Sequence, residues 1–104
     1  MTELLDRIQT LIESEARDLT QIEHTLTDGY AAALSLEAER WRIERRIAEV
    51  TQGIQRGDTA KKARELASLS KRLDGNQTTL SRLRAVLQDL RRHANGVRLG
   101  SPGR

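Results

Sequence analysis

The sequence predicts an all-α protein made of two long helices in an antiparallel coiled-coil hairpin. Charged residues make up 32% of its 104 residues and aromatic residues only 2%, a composition typical of long helices and coiled coils. Apolar residues also recur every three or four positions in two long series. A short polar segment separates the two series, so we expect the helices to lie side by side.

The first apolar series predicts one helix over residues 2–54. Twelve of its fifteen positions are apolar, and the phase does not shift along the series. Asp28-Gly29 resembles a turn signal, but a break normally resets the phase, so we expect the helix to continue through Gly29. The alternative is a three-helix bundle broken near Gly29. The positions are Leu5, Ile8, Ile12, Glu15, Leu19, Ile22, Leu26, Gly29, Ala33, Leu36, Arg40, Ile43, Ile47, Val50 and Ile54.

The second apolar series predicts a helix over residues 59–95. Residues 55–58 form the expected tip, where Gly57 suits a helix C-terminus and Asp58 or Thr59 suits the next N-cap. We expect residues 1–96 to form a single domain and residues 97–104 a flexible C-terminal tail. Nine of the ten positions are apolar: Leu66, Leu69, Leu73, Asn76, Leu80, Leu83, Leu87, Leu90, Ala94 and Val97.

The position of the tip fixes how the two helices pair. A tip near Asp58 places Arg40 opposite Asn76, in one polar layer. Such a layer costs stability but can fix the register. The same register places Gly29 opposite Leu87, a small residue against a large one.

Two groups of apolar residues have no partner in this hairpin. Helix 2 is shorter than helix 1, so the N-terminal apolar residues extend beyond its end. A second stripe beside the seam includes the only Trp and the only Tyr. Exposed apolar surface usually marks an interface, so we expect a homo-oligomer, preferably a dimer, or a partner helix. The expected contacts are Leu4, Leu5, Ile8, Leu11, Ile12, Tyr30, Leu34 and Trp41.

Charge is distributed unevenly along the chain. Residues 1–39 carry nine acids and two bases, whereas residues 40–104 carry sixteen bases and six acids. The basic tip gives the alternative function, a nucleic-acid- or transcription-associated factor, since clustered bases can contact phosphates. Its expected contacts are Arg45, Arg46, Arg56, Lys61, Lys62 and Arg64.

The sequence favours a non-enzymatic interaction or scaffold module. It has no Cys, no Gly-rich phosphate motif and no nucleophile with a base beside it. His24 and His93 each lie four residues from an Asp, but the inward Glu-x-x-His pattern of di-metal bundles is missing. We therefore expect no catalytic residue, metal, cofactor or small-molecule substrate.

The expected location is the cytoplasm. The sequence contains no basic-then-apolar leader and no apolar run of the roughly 18 residues that a membrane span needs. The absence of Cys is compatible with a reducing compartment. We expect no membrane partner.

Overall fold

The computed structural model describes residues 1–54 and 56–100. These residues form three helices, α1 (Thr2–Glu13), α2 (Leu19–Ile54) and α3 (Thr59–Arg98). The predicted all-α class is therefore confirmed, although the described chain has three helices where two were expected. Contacts divide it into two compact units: unit 1 comprises Met1–Leu34 and Ser81–Arg104, and unit 2 comprises Ser35–Leu80.

The predicted single helix over residues 2–54 is wrong, because the chain turns after α1. Glu15 has a φ of 53°. Its amide donates to the Ile12 carbonyl (3.2 Å), and the Ala16 amide donates to the Leu11 carbonyl (3.1 Å). These two bonds form a Schellman motif, which commonly ends a helix and usually has Gly at the position of Glu15.

Asp18 starts α2. Its Oδ1 accepts a hydrogen bond from the Gln21 amide (3.2 Å), which satisfies one of the free donors at the helix N-terminus. An Asp followed three residues later by Gln matches the capping-box pattern. The bundle alternative placed its break near Gly29, but α2 runs through Gly29 without interruption.

The α2–α3 connection lies within residues 55–58. Gly57 has a φ of 114° and Asp58 a φ of 57°, and the Lys62 amide donates to the Asp58 carbonyl (3.2 Å) in the first turn of α3. Gln55, which belongs to the predicted tip, lies outside the described residues.

The C-terminal end of α3 extends further than expected. Val97 and Arg98, assigned by the sequence to the flexible tail, belong to the helix. Residues 101–104 of the predicted tail lie outside the described residues.

Unit 1 has a core to which all three helices contribute. The N-terminal apolar residues were expected to lack a partner within the chain, and this is wrong for Ile8 and Leu11, which are buried. Arg7 of α1 pairs with Asp28 of α2 (2.6 Å). The turn after α1 allows this packing, because it ends the helix that would have carried these residues away. The buried apolar residues are Ile8, Leu11, Ile22, Leu26, Leu83, Leu87, Leu90 and Ala94.

Unit 2 packs the second part of α2 against the first part of α3. Its core contains the buried residues Ile43, Val50 and Leu69, with partly buried Ile47, Leu66 and Leu73 against them. These residues follow the predicted apolar series, with spacings of three and four that place them on one side of each helix.

The predicted Arg40–Asn76 layer takes a different form in unit 2. Asn76 is buried, and its Nδ2 donates to the Leu36 carbonyl (2.9 Å) and to Glu39 Oε1 (3.1 Å). Arg40 instead donates to Glu44, one turn along its own helix (3.4 Å). The buried amide therefore joins α3 to α2 without using the Arg40 guanidinium.

Candidate functional site

α2 carries three large, exposed side chains of mainly apolar character. Tyr30 is 43% exposed, Leu34 67% and Trp41 58%. Tyr30 and Leu34, four residues apart, lie on one side of the helix in unit 1, and Trp41 lies in unit 2. All three were predicted partner contacts, and each is available on the surface of its own unit.

Trp41 has a basic neighbour on the same helix. The guanidinium carbon of Arg45 lies 4.8 Å from the centroid of the Trp41 ring, within the distance of a cation–π contact. Trp41 therefore presents an apolar surface with a positive charge beside it.

The five predicted contacts in α1 are mostly used within the chain. Ile8 and Leu11 are buried in unit 1. Leu4, Leu5 and Ile12 are partly buried. Compared with α1, α2 offers much more exposed apolar surface to a partner.

Arg46, a predicted phosphate contact, is already paired with carboxylates. Its guanidinium contacts Glu65 of α3 (2.8 Å) and Glu49 of α2 (3.3 Å). Hydrogen bonds to Glu65 and, less strongly, to Glu49 raise the pKa of Arg46 above its ordinary value. The arrangement neutralises Arg46 locally and makes it a poor candidate for an outside anion.

The other predicted phosphate contacts differ in availability. Lys62 is partly buried, and its Cε and Nζ would lie 3.0 Å from a Cβ built on Gly53, so its side chain crosses α2 at this glycine. Arg56, Lys61 and Arg64 are exposed. None of these three forms an ion pair with another described residue.

The predicted contacts omitted two further exposed bases, Lys71 and Arg72. They lie seven and eight residues after Arg64, two helical turns along α3. This spacing was visible in the sequence, which already predicted one helix over residues 59–95.

The two histidines lie in different surroundings within unit 1. Nε2 of His93 lies 2.5 Å from the Ala16 carbonyl oxygen; since a carbonyl only accepts, the ring nitrogen donates. His24 is exposed beside Asp28, whose carboxylate pairs with Arg7. No three His, Asp or Glu residues are grouped as metal ligands in the described ranges 1–54 and 56–100.

None of the three described helices combines the length and apolarity that crossing a membrane requires. Comparison of the chain with protein-family models, with curated protein sequences and with solved structures gives no match.

Proposed function

We propose that this protein is a non-enzymatic helical interaction module that forms a homodimer through the exposed apolar side of α2. The observation that carries this proposal is the exposure of Tyr30, Leu34 and Trp41 on one helix. An aromatic side chain buries about 150–250 Å² when it is covered, and covering such surface is favourable. The occupant we propose is the same side of α2 in a second copy.

The charges along α2 favour an antiparallel arrangement of the two copies. Residues 19–39 contain four acids and no Lys or Arg, whereas residues 40–54 contain four arginines and two acids. Antiparallel pairing places the acidic part of each helix against the basic part of the other, and parallel pairing would place like charges together. Complementary charge of this kind sets the orientation of an interface.

A two-fold axis between residues 37 and 38 gives this dimer a specific register. It places Leu34 of each copy opposite Trp41 of the other. The Leu34–Trp41 contact therefore occurs twice in the dimer, as expected for an isologous interface. It also places Tyr30 opposite Arg45, which already lies over the Trp41 ring. The Tyr30 ring of one copy and the Arg45 guanidinium of the other would then form a cation–π contact, in addition to the apolar contact between Leu34 and Trp41.

We also propose that α2 and α3 form an antiparallel coiled-coil hairpin. The location we propose for the protein is the cytoplasm. In unit 1, Glu23 pairs with Arg98 (2.7 Å) and Gly29 contacts Leu87. Later residues of α2 therefore meet earlier residues of α3, which supports the antiparallel direction. The absence of Cys is compatible with a reducing compartment.

Sedimentation equilibrium of the full chain tests the dimer. The wild type should associate in the micromolar range, and Leu34→Glu and Trp41→Glu should shift it to the monomer, because each variant replaces an apolar contact with a carboxylate that must lose its hydration in the interface. The matched control is Leu99→Glu, since Leu99 is 81% exposed and lies beyond α3. The control should associate like the wild type.

A cysteine pair tests the register, because the chain has no Cys of its own. Ala38→Cys lies beside the proposed axis and should form a covalent dimer on mild oxidation. Ala31→Cys, also exposed, would lie about 20 Å from its counterpart and should not. A wild type that is monomeric at every concentration, or a Leu99→Glu variant that dissociates as fully as Trp41→Glu, would overturn the proposal.

A further inference from the structure

We propose that the outward side of the first part of α3 binds the phosphate backbone of a nucleic-acid duplex, independently of the dimer surface on α2. The residues that carry this proposal are exposed bases with no ion pair to another described residue. We call them the α3 basic row: Lys61, Arg64, Lys71 and Arg72.

The α3 basic row occupies one side of a regular helix. At 3.6 residues per turn, its four positions fall within an arc of about 100°. The centre of the row lies about 140° around the helix from the apolar side that carries Leu66, Leu69 and Leu73, although Arg72 lines one surface groove together with Leu69. It is about 17 Å long, which matches about five base-pair steps of rise along the axis of a duplex.

Exposed Asp58 and Asp74 flank this row in the sequence, but no described carboxylate forms an ion pair with its bases. The only acid between Lys61 and Arg72 in the sequence is Glu65, and its carboxylate is bonded to Arg46 of α2. Glu49 also pairs with Arg46. One arginine thus takes two of the nearby carboxylates, and the bases of the row keep their charge for an outside anion.

The side chains near these bases indicate which anionic partner the row fits: a membrane surface, a single-stranded nucleic acid or a duplex. Insertion into a membrane surface needs large apolar residues on the binding side, and stacking of single-stranded bases needs aromatic ones. The exposed residues between the bases are instead small, which lets a phosphate backbone approach the helix closely. Ser68 falls within the arc of the bases and Ala67 borders it, whereas Ala63 and Ser70 lie on the neighbouring side of the helix.

Contacts made only with phosphates predict sequence-independent binding that depends strongly on salt. Four contacts give a slope of log K against log salt of about −3.6, so affinity should fall about 150-fold between 50 and 200 mM salt. Fluorescence anisotropy with labelled duplex DNA, duplex RNA and single-stranded DNA of equal length measures this slope. We expect both duplexes to bind, and both to bind more tightly than the single strand.

The decisive comparison is between two double variants of equal net charge. Lys61→Gln with Arg64→Gln removes half of the α3 basic row and should reduce the slope to about −1.8. Arg17→Gln with Arg91→Gln removes two exposed charges of unit 1 and should leave the slope unchanged. Circular dichroism should show wild-type helix content in both, since all four side chains are exposed.

Several results would overturn the proposal. One is the absence of duplex binding at about 50 mM salt. Another is an equal decrease in the slope of log K against log salt in both double variants, which would show that only net charge matters. Tighter binding to single strands would contradict the duplex assignment. Tighter binding to phosphatidylcholine–phosphatidylserine vesicles in equal parts than to either duplex would assign the row to a membrane surface instead.

Discussion

Gly29 of α2 and Leu87 of α3 approach so closely that the glycine has no room for a side chain. A Cβ built on Gly29 would overlap Cδ2 of Leu87 and lie 3.2 Å from its Cγ. Both residues are buried in unit 1. The dipeptide Asp28-Gly29, which resembles a turn, is therefore a packing feature inside a continuous helix.

Replacing this glycine should destabilise the protein. Gly29→Ala improves helix propensity by up to about 1 kcal/mol, but overpacking a core costs about 1–3 kcal/mol. We expect a net loss of about 1–2 kcal/mol in the free energy of unfolding, measured in urea.

Gly75→Ala is the matched control, because a Cβ built on Gly75 would meet nothing within 4 Å. That variant keeps the propensity gain and should be stabilised by up to about 1 kcal/mol. Leu87→Ala with Gly29→Ala should cost less than the two single changes added together. If Gly29→Ala were as stable as Gly75→Ala, the close approach would not exist in solution.

The contact between Gly29 and Leu87 could be read from the sequence because it depends on side-chain size and on the position of the loop. The predicted pairing of Gly29 with Leu87 places a small residue against a large one, as the structure does. The all-α class followed from the same apolar spacing. The pairing and the fold class both follow from an apolar spacing that repeats many times along the chain.

The break after α1 could not be read from the same repeat. The five residues between Glu13 and Leu19 keep the apolar spacing of three and four, so the phase gives no sign of the break. The Schellman motif has Glu15 where Gly is usual, which removes the most familiar signal. The capping pattern of Asp18 and Gln21 was the one local indication.

The surface bases were less predictable than the core, because their availability depends on contacts between helices. Sequence spacing treats Arg46 and Arg64 alike. The structure pairs Arg46 with a carboxylate of α3, whereas Arg64 forms no ion pair with another described residue. Such a difference between two equal charges becomes visible only when α2 and α3 are placed together in unit 2.

Glu15 should be sensitive to side-chain branching. Its φ of 53° lies in the left-handed region, which costs L residues about 1 kcal/mol or more and disfavours β-branched ones most. We expect Glu15→Val to lower the free energy of unfolding by about 1–2 kcal/mol, and Glu15→Asn to be neutral or slightly stabilising. Thermal unfolding followed by circular dichroism measures both, and equal stability of the two variants would contradict the turn geometry.

Asn76 should be replaceable by an apolar residue of similar size. Its Oδ1 is buried and has no hydrogen-bond partner among the described residues, a situation that costs about 1–3 kcal/mol. Asn76→Leu removes this atom, and we expect the urea midpoint to rise. Asn76→Ala, which leaves a cavity, should be less stable than Asn76→Leu. A fall in the midpoint for Asn76→Leu would show that the bonds to Leu36 and Glu39 outweigh the unsatisfied oxygen.

Arg46 should contribute a small, salt-sensitive part of the stability of unit 2. Its pKa is raised by hydrogen bonds to Glu65 and Glu49, so the contact stabilises the folded chain at neutral pH, where the carboxylates are ionised, and this contribution is lost as pH rises through the raised pKa. The decrease in the free energy of unfolding caused by Arg46→Gln should therefore be constant between about pH 7 and 9. Since exposed pairs are screened, the loss should shrink in about 1 M salt.

Arg42→Gln is the control for this pair, because Arg42 is exposed and forms no ion pair with another described residue. Its urea midpoint should match the wild type at low salt, where Arg46→Gln falls below it. Equal midpoints for the two variants at low salt would mean that the Arg46–Glu65 contact adds nothing to folding. A difference that persists undiminished in about 1 M salt would mean that Arg46 acts through packing of its aliphatic stem.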